Sequence, residues 1–280
     1  MTAASTSGAS RRRYRPGVAP VDPLADFSSR TFSADGRARR VFEQGEGPPV
    51  VVLHEMPGIT PEAARVARRL AAAGFRVVMP SLFGDPGRPM TPGYTARQLA
   101  WGCVSAEFAA LRAGRTGRVT GWLRALAADV ATGGTGVGVV GMCFTGGFGL
   151  AMLLERCVTA PVLSQPSLPL PVTPGCRRDL GLAPADLAAV RARVAAGLEV
   201  LGLRFTHDPL VPTARFDRLR AEFGEAFSAV EIDSGPGNAW GIPRRAHSVL
   251  TFELVDEEGH PTRAALDRVL AFLAERLRAA

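Results

Sequence analysis

Residues 136–147 read Gly136-Val137-Gly138-Val139-Val140-Gly141-Met142-Cys143-Phe144-Thr145-Gly146-Gly147. The first five form a β-branched run set off by glycines, the pattern of a strand buried on both faces. The stretch from Phe144 to Glu155 has helical spacing. A cysteine therefore stands on the turn between a buried strand and a helix, where many hydrolases carry serine. Such a turn strains the backbone of its central residue and needs small neighbours such as Gly141. It also sets the sulfur at a sheet edge and a helix N-terminus, where partial positive charge and free N–H groups favour thiolate, the reactive form. No GxSxG occurs in the chain, so no serine elbow competes, and Cys103, Cys157 and Cys176 lack such a setting.

Working outward, upstream of the turn, Pro49–His54 (PVVVLH) predicts a strand, Glu62–Ala73 a helix ending at Gly74, and Phe75–Met79 a second strand closed by Pro80. Residues 81–93 read as a loop, followed by helices over about 94–113 and 116–131. Downstream come a short strand at Ala160–Leu163, a proline-rich stretch over 166–174 and a helix near 184–196. Leu198–Phe205 and Phe227–Ile232 read as strands flanking a helix near 212–223; residues 234–248 are irregular, and a helix over 261–278 closes the chain. Val249–Val255 reads either as an extra strand or as a helix start, and whether 166–182 forms a lid is left open. Strands alternating with helices predict an α/β fold, a mainly parallel sheet with helices on both faces, whose sites lie at the carboxyl ends of strands.

The chain has 280 residues, 46% of them apolar and 21% charged. That composition fits a globular protein with a sizeable core, and no run reaches the roughly 18 apolar residues of a membrane span. The net charge of +7 comes entirely from arginine on the basic side, with eight Arg against three Asp in residues 1–40. Residues 1–37 are expected to be a flexible Arg-rich arm and 38–280 the folded domain. Arg11, Arg12, Arg13 and Arg15 read as a solvated tail more readily than as a phosphate-binding patch, so nucleic acid is not expected as a partner. The four cysteines form no CxxC pair and no zinc-like spacing with histidine, and no apolar segment follows the arginines as in a signal peptide. These features predict a cytoplasmic protein with free thiols and no metal or organic cofactor.

A thiol nucleophile needs a base, and the base an orienting acid. Only four histidines exist. Asp208 follows the strand ending at Phe205, in Thr206-His207-Asp208-Pro209-Leu210-Val211-Pro212, and His247 lies in Ala246-His247-Ser248 within the irregular segment. His247 is preferred over His207, because neighbours at a strand end diverge and His207 adjoins Asp208. His54 and His260 are read as structural or surface residues. Glu55 ends the PVVVLH strand in His54-Glu55-Met56-Pro57-Gly58-Ile59. A carboxylate there is costly unless paired, and beside Cys143 it would take or hold the thiol proton. The N–H groups of Met56 and Phe144 sit where an oxyanion needs donors.

Together, HEMPGI, GMCFTGG, HDPLVP and AHS resemble the dienelactone hydrolase family, a branch of the α/β-hydrolases, from about residue 38 to the C-terminus. The resemblance implies the α/β-hydrolase fold, with Cys143 as nucleophile, His247 as base, Asp208 as its orienter and Glu55 as the carboxylate regulating the thiol. It further implies an oxyanion hole of Met56 and Phe144 amides, and a substrate-binding loop around Phe83 after the second strand. Two departures stand out. Thr145 replaces the first glycine of the family's GxCxGG elbow. The two arginines expected to hold a dienelactone carboxylate fall at Asp85 and Thr251, which speaks against an anionic dienelactone; Arg88, Arg244 or Arg245 are candidate replacements. The expected activity is cysteine-dependent hydrolysis of small carboxylic esters or lactones. Rival readings are a non-catalytic small-molecule-binding protein on the same fold and a Cys-His-acid amidotransferase.

Overall fold

The computed structural model describes residues 20–105, 107–108, 113–131 and 136–277. Eight strands form one sheet: β1 (Ser28–Ala34), β2 (Arg37–Gln44), β3 (Pro49–Leu53), β4 (Arg76–Pro80), β5 (Val137–Met142), β6 (Val158–Ser164), β7 (Val200–Phe205) and β8 (Phe227–Ile232). Their spatial order is β1-β2-β4-β3-β5-β6-β7-β8. β1 and β2 are antiparallel, β2 is antiparallel to β4, and every pairing from β4 through β8 is parallel.

β3 and β5, at the centre of the sheet, carry no polar side chain because both of their faces are covered. In β3, Val51 and Leu53 join one core, while Val50 and Val52 join the other; successive side chains point to opposite faces. The first core packs against α3 (Val119–Val130), α4 (Phe148–Met152), α6 (Pro184–Ala195) and α7 (Thr213–Phe223). The second packs against α1 (Pro61–Ala72) and α8 (Pro261–Leu277). Two further helices, α2 (Pro92–Val104) and α5 (Pro174–Arg178), lie in loops. α1 shows why such a segment is helical: the Thr60 hydroxyl accepts from Ala63 N–H, Pro61 opens the helix, and Gly74 at φ +85° reverses the chain after it. Those are the expected start and stop signals. No helix among the described residues is long and apolar enough to cross a membrane.

Several expectations need correction. Residues 20–37 are not a flexible arm: β1 pairs with β2 along its whole length, and Leu24 and Phe27 are buried. Residues 1–19, with Arg11 to Arg13 and Arg15, lie outside the described residues. The helix expected over 94–113 ends at Val104, and Ser105 leaves it in extended backbone. The helix expected over Phe144–Glu155 is instead a 3-10 turn, Cys143–Thr145, followed by the five residues of α4. Residues 249–253 are turns and 254–255 irregular, so the segment is neither strand nor helix.

The 166–182 segment, the candidate lid, is fastened from below. Arg215 on α7 is almost wholly buried. It donates to the carbonyls of Pro166 (2.7 Å), Pro169 (2.5 Å), Cys176 (2.8 Å) and Asp179 (3.0 Å). Burial lowers its pKa to about 10, so the guanidinium remains charged near neutrality. One cation thus satisfies four carbonyls of a loop whose prolines lack N–H groups to pair them.

Candidate active site

Five strand ends converge. β5 runs into Cys143, whose φ of +53° is rare for a residue with a side chain. The elbow closes around small residues. A Cβ on Gly141 would lie 2.8 Å from Thr145 O, and one on Gly146 would lie 2.6 Å from Pro166 Cα. The strained residue is held by its own carbonyl, which accepts from Gly146 N–H (2.9 Å) and Ser167 N–H (3.0 Å).

Thr145, in the place of the family's glycine, is fully buried. Its hydroxyl faces the carbonyls of Leu53 (3.0 Å) and His54 (3.1 Å) and accepts from Met142 N–H (3.2 Å). It therefore ties the elbow to the end of β3, where Glu55 begins. The departure from the family pattern is a cross-link rather than a defect.

Beyond β7, Asp208 is buried and uses both oxygens: Oδ1 accepts from Leu210 N–H at 2.9 Å, and Oδ2 accepts from His247 Nδ1 at 2.6 Å. His247 is carried by the segment after β8. Ser248 N–H donates to the Glu253 carboxylate (2.8 Å), and Glu253 N–H returns to Ser248 O (3.2 Å), closing the turn behind the ring. With Nδ1 on Asp208, Nε2 is the free end; it is buried and makes no hydrogen bond among the described residues. Burial disfavours charge on this ring, but the Cys143 sulfur beside it and the Asp208 carboxylate outweigh burial and hold its pKa well above the ordinary histidine value.

Glu55 is completely enclosed. Ser248 Oγ donates to Oε2 at 2.7 Å, Gln165 Nε2 donates to the same oxygen at 3.4 Å, and the Thr251 hydroxyl donates to Oε1. Desolvation raises its pKa to about 7, against the lowering effect of Thr251, Ser248 and the nearby His247. The expected direct contact with the thiol is not what the geometry gives. The hydrogen-bond partner of the Cys143 sulfur is Ser167 Oγ, at 3.7 Å. Position 251, where the family's second arginine is expected, supplies instead a hydroxyl that holds Glu55.

His54 is structural. Its Nδ1 meets Glu55 O (3.1 Å) and its Nε2 accepts from Leu82 N–H (3.0 Å), which fixes a neutral ring. Burial depresses its pKa to about 4. Phe83 is buried in an aromatic cluster, edge-on to His54 (4.5 Å) and to Phe144 (5.7 Å), so it walls the elbow. Arg88 is elsewhere employed: it pairs with Asp85 at 2.8 Å and lies over the Tyr94 ring at 4.1 Å, on the exposed loop before α2. Arg244 and Arg245 are exposed, two residues or more before His247. Ser167 and Gln165 belong to no motif that would mark them in the sequence. Their only signal was position, just past the carboxyl end of β6, on the sheet edge where the other groups gather.

The family model for the dienelactone hydrolase family matches residues 37–277. The chain belongs to the dienelactone hydrolase family, a class of α/β-hydrolase-type enzymes. Among solved structures, it is similar to the dienelactone hydrolase of Anabaena variabilis, at 17% identity over 90% of this chain and 98% of that one, with a TM-score of 0.58. It is also similar to a dienelactone hydrolase-like promiscuous phosphotriesterase from metagenomic libraries, at 20% identity over 90% and 100% of the two chains, TM-score 0.56. No curated protein matches by sequence.

Proposed function

We propose that the chain is a cysteine-dependent hydrolase of small, neutral carboxylic esters or lactones, acting through an acyl-thioester on Cys143. One observation carries the reading: a cysteine held at φ +53° stands against the free end of an imidazole whose other nitrogen is 2.6 Å from a buried carboxylate. Neither a packing role nor a purely binding role calls for that strained backbone.

In the proposed reaction the Cys143 sulfur attacks the acyl carbon and its proton passes to His247 Nε2. The N–H groups of Phe144 and Met56 receive the oxyanion, each contributing roughly 3–4 kcal/mol to the barrier reduction. When the tetrahedral intermediate collapses, the C–O bond breaks and the alkoxide leaves with the proton from His247. Water then gives a proton to His247 and adds to the thioester; the sulfur departs and recovers that proton. The sum is ester plus water to acid plus alcohol. Asp208 keeps the ring in its tautomer and offsets its charge. Thiolate is a better leaving group than an amine anion, so amides are poor substrates. The side chains at 85 and 251 are not arginine, which favours neutral over anionic acyl groups.

The test is hydrolysis of p-nitrophenyl acetate by the purified protein and by Cys143→Ala. Turnover by the native chain, falling to the uncatalysed rate in the variant, is expected. Equal rates from the two would remove the nucleophile, and no turnover by either across short esters, lactones and thioesters would favour a binding protein.

A further inference from the structure

We infer that Ser167 is a further residue of the reaction centre, donating a hydrogen bond to the Cys143 sulfur and holding it toward His247. The inference rests on Cys143 being the reacting group.

Three observations carry it. Ser167 is 1% exposed, so its hydroxyl has no access to bulk water. Among the described residues, that hydroxyl meets the sulfur at 3.7 Å. A buried hydroxyl without a partner is costly, and here the sulfur is what relieves that cost. Finally, Ser167 is locked to the elbow by its backbone, since its N–H donates to Cys143 O at 3.0 Å. The residue before it is anchored in turn, because Pro166 O accepts from Arg215 at 2.7 Å. A chain of contacts thus runs from α7 through Arg215, Pro166 and Ser167 to the sulfur. Arg215 is a positioning residue in it, and Ser167 touches the reacting atom.

The chemistry differs between states of the sulfur. A thiolate accepts the hydroxyl proton strongly, whereas a thioester sulfur is a poor acceptor. Ser167 therefore stabilises the sulfur when it carries charge, which is once its proton has passed to His247 and again when it departs from the acyl group. The titratable groups around the sulfur are His247 directly, then Asp208 and Glu253 behind the ring and Glu55 across the strand ends. His247 acts on both native and variant chains, so a difference between them reports the hydroxyl.

The experiment is the pH profile of iodoacetamide alkylation at Cys143, read by peptide mass spectrometry, with Cys103, Cys157 and Cys176 as internal controls. It is run on the native chain, Ser167→Ala, Ser167→Gly and Ser167→Thr, each checked for folding by circular dichroism. A hydrogen bond to an ionised acceptor shifts a titration by about one to two pH units. Loss of the hydroxyl in Ser167→Ala and Ser167→Gly is therefore expected to move the midpoint up by about one unit and slow alkylation near pH 7 about tenfold. Ser167→Thr is expected to restore most of it. Fast alkylation of Cys143 with the same midpoint in native, Ala and Gly chains would overturn the role of Ser167 alone. Alkylation of native Cys143 no faster than the control thiols would instead overturn the underlying reading. If Ser167→Ala does not fold, the Gly and Thr variants decide between the same outcomes.

Discussion

At the scale of single residues, Glu55 is the group whose environment departs furthest from its free state among the carboxylates at the strand ends. Its pKa stands at about 7 in the folded chain against an ordinary 4.5, first because of burial. A raised acid binds its proton more tightly when folded. Its contribution to stability is thus fully present below about pH 4.5 and is lost as pH rises through 7. Glu55→Gln removes the buried charge and keeps one acceptor oxygen, with an NH2 group facing the other hydroxyl, which can turn to accept. The variant is expected to gain about 3 kcal/mol over the native chain at pH 8, with the gain shrinking to below about 1 kcal/mol at pH 5. Denaturant unfolding at the two pH values checks this; a constant difference across them would mean that Glu55 is not raised. The sequence singles out Cys143, Asp208, His247 and Glu55 because each follows a strand or stands beside a proline-marked turn. It does not single out their hydrogen-bond partners. Ser167, Gln165 and Thr251 are common residues whose importance comes from which loops the sheet brings together, and nothing local marks them. The orientation of Glu55 toward hydroxyls rather than toward sulfur was hidden for the same reason.

At the scale of elements, the buried parallel strands were readable because they carry apolar residues on both faces and end at glycine or proline. The elbow helix is shorter than its apolar run suggests. Phe144 to Glu155 is almost uniformly buried, so its apolar residues answer to a core on all sides rather than to a helical stripe. The proline-rich loop was unreadable because its stability comes from Arg215, a residue of another element that looks like an ordinary surface arginine in sequence. Arg215→Ala would leave four carbonyls of that loop without their shared donor, a loss of about 2–4 kcal/mol by analogy with buried charged hydrogen bonds. Limited proteolysis is expected to cut the variant between residues 170 and 182 while the native chain resists. Equal resistance would show that the loop holds itself.

At the scale of the whole molecule, the missed feature was the antiparallel hairpin. β1 reads SSRTFSA and faces solvent at alternate positions, so it offers little apolar signal and its arginine and serine suggest a tail. Its placement is nonetheless tight. Phe32 packs edge-on to the fully buried Trp122 at 5.3 Å, and Trp122 Nε1 donates to Arg37 O at 3.0 Å. Arg30 bridges Glu43 (2.7 Å) and Asp129. Charged edges of this kind also discourage further strand pairing. A chain begun at residue 38 is expected to melt at least about 5 °C lower than the full chain, since it loses a core contact and a buried hydrogen bond. Differential scanning calorimetry reads the difference, and an unchanged midpoint would return residues 20–37 to the status of an arm.

The proposed function turns on one covalent step, the thioester on Cys143, and that step is open to direct test. The native chain is mixed with p-nitrophenyl acetate, quenched in acid within milliseconds and digested for mass spectrometry. One acetyl group on the peptide carrying Cys143 is expected, its occupancy rising with the burst of nitrophenol and decaying as water is admitted. Nitrophenol release with Cys143 unmodified, or an acetyl group lodged on another residue at the same rate in Cys143→Ala, would contradict the thioester.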